Sequence, residues 1–365
     1  MTTKIPPELV DDQVFGRRNI LINGDFGIYQ RALQVTGLGA SENYFTADRW
    51  VLNGNLTSGR LTMTAATADA PTESNVYTSL KLDCTTADTS LGVGEVLTLQ
   101  QRVEGYNLQH VKKGTSGAKE LTASFWVKGN ASATYVLELY DADNTRQVSK
   151  SFSVTSSWSK VELTFPTDTT GTFDNDSSTS LFFQIWLASG TTFTSGTLNE
   201  TWNSVTNANR AVGVSNFFSS TSNELYITAV QLEVGSQATP FEHRSIGEEL
   251  ALCQRYYVEL TSDQQVNPIM NCGYYNTTAI YGAIIFPTEM RTEPTLEQTT
   301  GTDYFRVYST GAADTFTGFN SIHSVTPQRV VIAAVSAQGI SGTQSAAGWC
   351  ETMNTAARLS FTAEL

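Results

Sequence analysis

Only one segment of this 365-residue chain carries the apolar spacing of a helix, and it sits two-thirds of the way along, at 245–257. Elsewhere the apolar residues come in short β-branched and aromatic runs, at 49–52, 60–64, 77–82, 96–103, 121–128, 135–140, 161–165, 181–187 and 225–234. Clusters of Gly, Ser, Thr, Asn and Asp separate them. Such runs, closed by turn formers, describe an all-β, antiparallel jelly-roll β-sandwich. In 121–128, Leu121, Ala123, Phe125 and Val127 alternate with Thr122, Ser124, Trp126 and Lys128, so one face is buried and the other faces outward. Ile20, Leu21, Ile22 and Phe26 read as a further strand, broken by the turn-forming Asn23-Gly24-Asp25.

The period changes at Ser245. Ser245 and Glu248 have the spacing of a capping box, and Ile246, Leu250, Cys253 and Tyr257 then follow at intervals of four, three and four. That spacing predicts one short helix over 245–259 with a narrow apolar stripe, packed on a sheet or on copies of the same chain. Shorter strand patterns resume at 279–286, 304–308, 329–335 and 358–361. The expected organisation is an extended arm at 1–16, a jelly roll at 17–244, a linking helix at 245–259 and a smaller C-terminal β domain at 260–365. The arm carries Pro6-Pro7 and has no periodicity. Two polar loops are long, 166–180 and 188–223, and Trp202 with Phe217-Phe218 should fold the second one back onto the sandwich.

Length favours two cores over one. A net charge of −13, from 22 basic and 35 acidic side chains, argues against a nucleic-acid partner. Lys112-Lys113, the one basic pair worth notice, reads as a solvated turn. Cys84, Cys253, Cys272 and Cys350 lack metal-ligand spacing and read as free buried thiols. The Met1 end has neither the basic nor the apolar region of a signal peptide, and no apolar run approaches the ~20 residues that span a bilayer. A soluble chain without membrane contact is expected.

Catalytic chemistry is thinly represented. His110, His243 and His323 are unpaired at metal spacing, and acidic pairs such as Glu138 with Asp141, or Asp174 with Asp176, occur without a surrounding motif. The expectation is a protein that is not an enzyme. Sugar recognition is better represented. Trp126, Tyr140, Gln184 and Trp186 place aromatic planes beside polar groups on strands, the combination that suits the C–H faces and hydroxyl rim of a pyranose. The face that carries Trp126 is expected to carry Glu138 and Tyr140 as well, or Gln184 and Trp186.

Four strings, taken in order, narrow the field: NILINGDFGIYQR at 19–31, YFTADRW at 44–50, LTASFWVKG at 121–129 and ELYITAVQLEVGSQATPFEHRSIGEELALCQRYY at 224–257. Together they resemble structural proteins of tailed-bacteriophage virions: tail-fibre, tail or decoration components built on a jelly roll similar to carbohydrate-binding modules. The resemblance implies a virion location, on the tail rather than the capsid, and a role as a tail fibre or tail-tip component. It also implies assembly as a homo-oligomer (a homotrimer), attachment to other virion proteins through the arm, and contact with host cell-surface polysaccharide. In the similar modules a structural Ca²⁺ is held between the first and last strands, which here points to Asp25 and Glu233. The chain has VQLEVG where those modules commonly carry an Asp pair. A capsid head-fibre or decoration protein, a free lectin-like module and a capsule-degrading depolymerase are the alternatives.

Overall fold

A computed structural model describes residues 17–55, 57–261 and 266–365. The proposed arm at 1–16 lies outside them. The chain divides into two compact units. Among the described residues, one comprises 17–27 together with Ala32–Arg244, and the other comprises Ile28–Arg31 together with Ser245–Leu365.

The protein is all-β, and its first unit is a sandwich of two antiparallel sheets. Among the described residues the six-stranded sheet runs, in spatial order, Gln34–Leu38, Arg60–Thr67, Thr78–Thr86, Glu224–Val234, Leu121–Gly129 and Ser159–Phe165. The seven-stranded sheet runs Asn203–Ser204, Arg146–Val154, Ala133–Asp141, Thr179–Ser189, Val96–Glu104, Val51–Asn55 and Glu42–Tyr44. Period-two alternation sends one side chain in two to the interior. Leu80, Leu82, Ala123, Phe125, Val127, Leu137, Leu139, Phe183 and Ile185 are all fully buried. Phe125 of one sheet meets Phe152 of the other edge-on, with ring centroids 5.0 Å apart. Burying a large apolar side chain of this kind is worth about 1.5–3 kcal/mol.

The first anticipated strand, Ile20 to Phe26, is not a strand. Ile20, Leu21, Ile22 and Phe26 are buried as expected, but they sit on irregular backbone served by side chains instead of a ladder. Asn19 Oδ1 accepts the N–H groups of Leu21 and Leu232, and Asn19 Nδ2 donates to Val230 O. Gln101 accepts the Ile22 N–H at 2.7 Å and donates to the Ile22 carbonyl at 2.8 Å, so one amide side chain replaces a neighbouring strand. Phe26 takes φ 53°, a region costly for a bulky residue, and its ring lies 5.0 Å from Trp50 in the core. Gly24 is set by close approach: a Cβ there would fall 2.1 Å from Val230 O.

In the second unit a seven-stranded antiparallel sheet runs Ala312–Phe316, Phe305–Ser309, Ala347–Thr352, Pro268–Asn276, Ala279–Ile285, Arg329–Val335 and Ser321–Thr326, and a three-stranded sheet runs Tyr257–Glu259, Arg358–Thr362 and Thr295–Thr299. Phe305, Phe316 and Phe319 pack together, and Phe286 meets Phe361 at 5.1 Å. The helix spans Ile246–Gln254, with the Ser245 hydroxyl accepting the Glu248 N–H. It is shorter than the 245–259 expected, because Tyr257–Glu259 turns into a strand paired with Arg358–Thr362. Its buried stripe is also rotated from the predicted one. Cys253, Tyr256 and Tyr257 are buried, Glu249 is 8% exposed, Leu250 is half-buried, and Ile246 is 68% exposed. Gln30 and Arg31 belong to this unit: Gln30 donates to Tyr257 O, and the Arg31 guanidinium lies 3.6 Å over the Tyr257 ring while it pairs with Glu364. No helix among the described residues is long and apolar enough to cross a membrane.

Candidate functional site

The outward face of the seven-stranded sheet in the first unit is polar and aromatic in rows. Register aligns Gln100, Gln184, Glu138 and Ser149 across four adjacent strands. The next row holds Arg102, Phe182, Tyr140 and Gln147, and the row on the other side begins Thr98, Trp186 and Val136. Alternation produces this. The inward partners along the same strands are Leu181, Phe183, Ile185, Leu137 and Leu139.

Glu138 is the centre of the face and is fully buried. Arg210 reaches it through two parallel bonds, Nε to Oε1 at 2.8 Å and Nη2 to Oε2 at 2.9 Å. Trp186 Nε1 donates at 2.8 Å and Gln184 Nε2 at 3.0 Å. The network continues through Gln100 Nε2, which donates to Gln184 Oε1 and Thr98 Oγ1. The carboxylate is thereby neutralised and saturated, which is what makes a buried charge tolerable. The Arg210 guanidinium also lies 5.1 Å from the ring centroids of both Tyr140 and Trp186. Beside this network four buried atoms have no partner in the protein: Gln100 Oε1, both amide atoms of Gln147 and the Ser149 hydroxyl. Buried amides and hydroxyls are nearly always bonded. All four are closed to solvent, so the open rim is the part of this face that a ligand can touch.

Only part of this face is open. Trp186 is 2% exposed and Gln184 5%, because the 190–214 segment lies across them: Phe193 packs 5.2 Å from the Trp186 ring, with Ala211, Leu198 and Val214 alongside. Both residues, expected to contact sugar, instead build the floor. Tyr140 lies on the open rim, half-buried, with its ring 5.5 Å from Phe182. Arg102 sits 5.1 Å over Phe182 and pairs with Glu42. Rings, guanidinium and carboxylate on one rim are the groups that hold C–H faces and hydroxyls.

Trp126 is on the other sheet. It pairs with Lys160 and Thr228 on the outward face of the six-stranded layer, so it shares a face neither with Glu138 and Tyr140 nor with Gln184 and Trp186, and both forms of that expectation are corrected. The chain changes sheet between Gly129 and Ala133, a crossing that alternation cannot report. Arg102, Phe182, Gln147 and Arg210 were not anticipated. Arg102 and Phe182 fall on the outward period of anticipated strands and were legible from it, whereas Gln147 lies on Arg146–Val154, whose serines hide its strand pattern. Arg210 comes from a loop 72 positions from Glu138, with no local signal.

Lys113 is also not the solvated residue expected. It is 4% exposed, donates to Asp141 and to the carbonyls of Thr170 and Gly171, and lies 3.1 Å from Asp168, which Arg146 holds at 2.7 Å. Glu138 and Asp141 therefore answer to different cations and do not form an acid–base pair.

Protein donors reach both carboxylates proposed for Ca²⁺. Asp25 Oδ1 accepts the Gly27 N–H in its own turn. Glu233 is buried and accepts from Gln231 Nε2, Thr239 N and Thr239 Oγ1. Among the described residues no group of three or more His, Cys, Asp or Glu side chains could hold a metal ion.

No protein-family model matches the chain, and no curated protein matches it. Solved structures with a distant likeness include a putative sugar binding protein from Bacteroides thetaiotaomicron, at 12% identity over 60% of this chain and 100% of that one, TM-score 0.32. The family 11 carbohydrate-binding module of a Clostridium thermocellum cellulosomal cellulase gives 10% identity over 61% of this chain and 99% of that one, TM-score 0.29. The enzymatically active domain of bacteriophage CBA120 tailspike protein 4 gives 12% identity over 60% of this chain, TM-score 0.30, and the match spans 21% of the tailspike chain. At these scores the functional reading rests on the site.

Proposed function

We propose that this chain is a non-enzymatic structural protein of a tailed-phage virion, a tail-fibre or tail-tip component that contributes to attachment by binding host-surface glycan. The observation that carries the glycan reading is the rim of Tyr140, Phe182 and Arg102, two rings and a guanidinium on one open edge of the face. The four ordered strings supply the virion reading. Assembly as a homotrimer, anchored by its first residues to other virion proteins, belongs to the same reading.

Two experiments test it. Gold-labelled antibody on intact particles should decorate the tail. Label over the capsid would make the chain a head-fibre or decoration protein, and unlabelled particles would favour a free lectin. Purified host polysaccharide should retain the full chain on an affinity gel, and Tyr140→Ala should weaken retention by roughly 3–10-fold, the worth of one aromatic contact. Unchanged retention would remove Tyr140 from the site, and reducing ends appearing in the polysaccharide would establish a depolymerase.

A further inference from the structure

Cys272 and Cys350 stand on neighbouring central strands of the larger sheet in the second unit. Register pairs Met270 with Cys350 and Cys272 with Gly348, which places the two cysteines diagonally on the same, core-facing side. The Cys350 thiol donates to Cys272 Sγ, and the two sulfurs are 3.3 Å apart. A disulfide brings them to ~2.0 Å. Cys350 is fully buried and Cys272 is 9% exposed, so a small oxidant reaches the second and not the first.

We propose that Cys272 and Cys350 are a disulfide-forming pair, closed by a small neutral two-electron oxidant of the peroxide class. Hydrogen peroxide is taken as the reagent. The Cys272 thiolate attacks one peroxide oxygen, the O–O bond breaks, and the departing hydroxide takes up the thiol proton as water. The Cys350 sulfur then attacks the Cys272 sulfenic acid, forming the S–S bond and expelling a second water. Two thiols are oxidised, one peroxide is reduced to two waters, and the atoms balance. The hydrogen bond from Cys350 lowers the Cys272 pKa against the effect of burial, which favours Cys272 as the attacking thiolate. The other cysteines are internal controls. Burial and the nearby Asp83 push the Cys84 thiol up to about 11, and Cys253 is fully buried on the helix. The closed bond would join strands 78 positions apart and restrict the unfolded chain accordingly.

The test uses the full chain, treated with hydrogen peroxide, then denatured and alkylated without reductant. The proposal expects a mass lower by two hydrogens and alkylation at Cys84 and Cys253 only. It also expects a 272–350 linked peptide and a melting temperature raised by oxidation and returned by dithiothreitol. Cys272→Ser should abolish the link and leave Cys350 alkylatable. Four alkylated thiols after peroxide would overturn the proposal, as would Cys272 sulfinic acid beside an unmodified Cys350. If Cys272→Ser does not fold, the wild-type mass and linked peptide decide alone. Neither outcome depends on glycan binding.

Discussion

Asn19 serves two stretches of backbone at once, accepting from Leu21 and Leu232 and donating to Val230. At the scale of residues, the strings that resemble virion proteins are locks of this kind. Asn23 donates to Asp48 O while its own carbonyl accepts the Trp50 indole N–H, tying the 19–31 string to the 44–50 string. Glu242 accepts the N–H groups of Arg18 and Asn19 and pairs with Arg244, tying the 224–257 string to the same segment. Such residues hold the sandwich together through contacts distant in sequence. Gly24→Ala should therefore destabilise the protein by about 1–3 kcal/mol or more, since a Cβ would meet Val230 O; a shifted denaturant midpoint checks this. Glu138→Ala should cost about 3–5 kcal/mol, because it strands the Arg210 guanidinium and the Trp186 N–H, and urea unfolding of the variant measures it.

At the scale of elements, the loop carboxylate of Asp168 is held by Arg146 from a strand and Lys113 from another loop. Burial pushes the Asp168 carboxyl up, but hydrogen bonds from Arg146, the Thr170 N–H and Lys113 outweigh it and hold the group below its ordinary 3.8. A depressed folded-state value stabilises the protein fully above the unfolded value, and that stability is lost as pH falls through the folded one. Wild type should accordingly lose stability below pH ~4, and Asp168→Asn, already weakened at pH 7, should show a shallower acid limb in melts between pH 7 and 2. The strands at 60–64, 121–128, 135–140 and 225–234 were legible because apolar and polar residues alternate there. Arg146–Val154 was missed because Ser149, Ser151 and Ser153 dilute its pattern to that of a loop. The helix start was legible from its Ser cap. Its end was not, since Tyr257 fits a helical stripe and a strand equally well, and pairing with Thr362 decided between them.

At the scale of the whole molecule, the predicted interface stripe leaves Ile246 exposed, one turn from a half-buried Leu250, while its Cys253 and Tyr257 are buried. In the oligomer reading, Ile246→Asp should leave the stability of a monomer within ~0.5 kcal/mol and shift sedimentation mass from trimer toward monomer. A mass unchanged from the parent would remove this helix from the interface. The all-β class, the change of period at Ser245 and the poverty of catalytic motifs follow from the order of residues alone, because periodicity and capping act over a few positions. Which sheet each strand joins, and so whether Trp126 shares a face with Tyr140, depends on pairings as distant in sequence as Leu80 with Ile227. The same holds for Arg210 meeting Glu138, for the burial of Lys113 and for the approach of Cys272 to Cys350. Local patterns carry no information about such pairings, and only the closed tertiary structure supplies it.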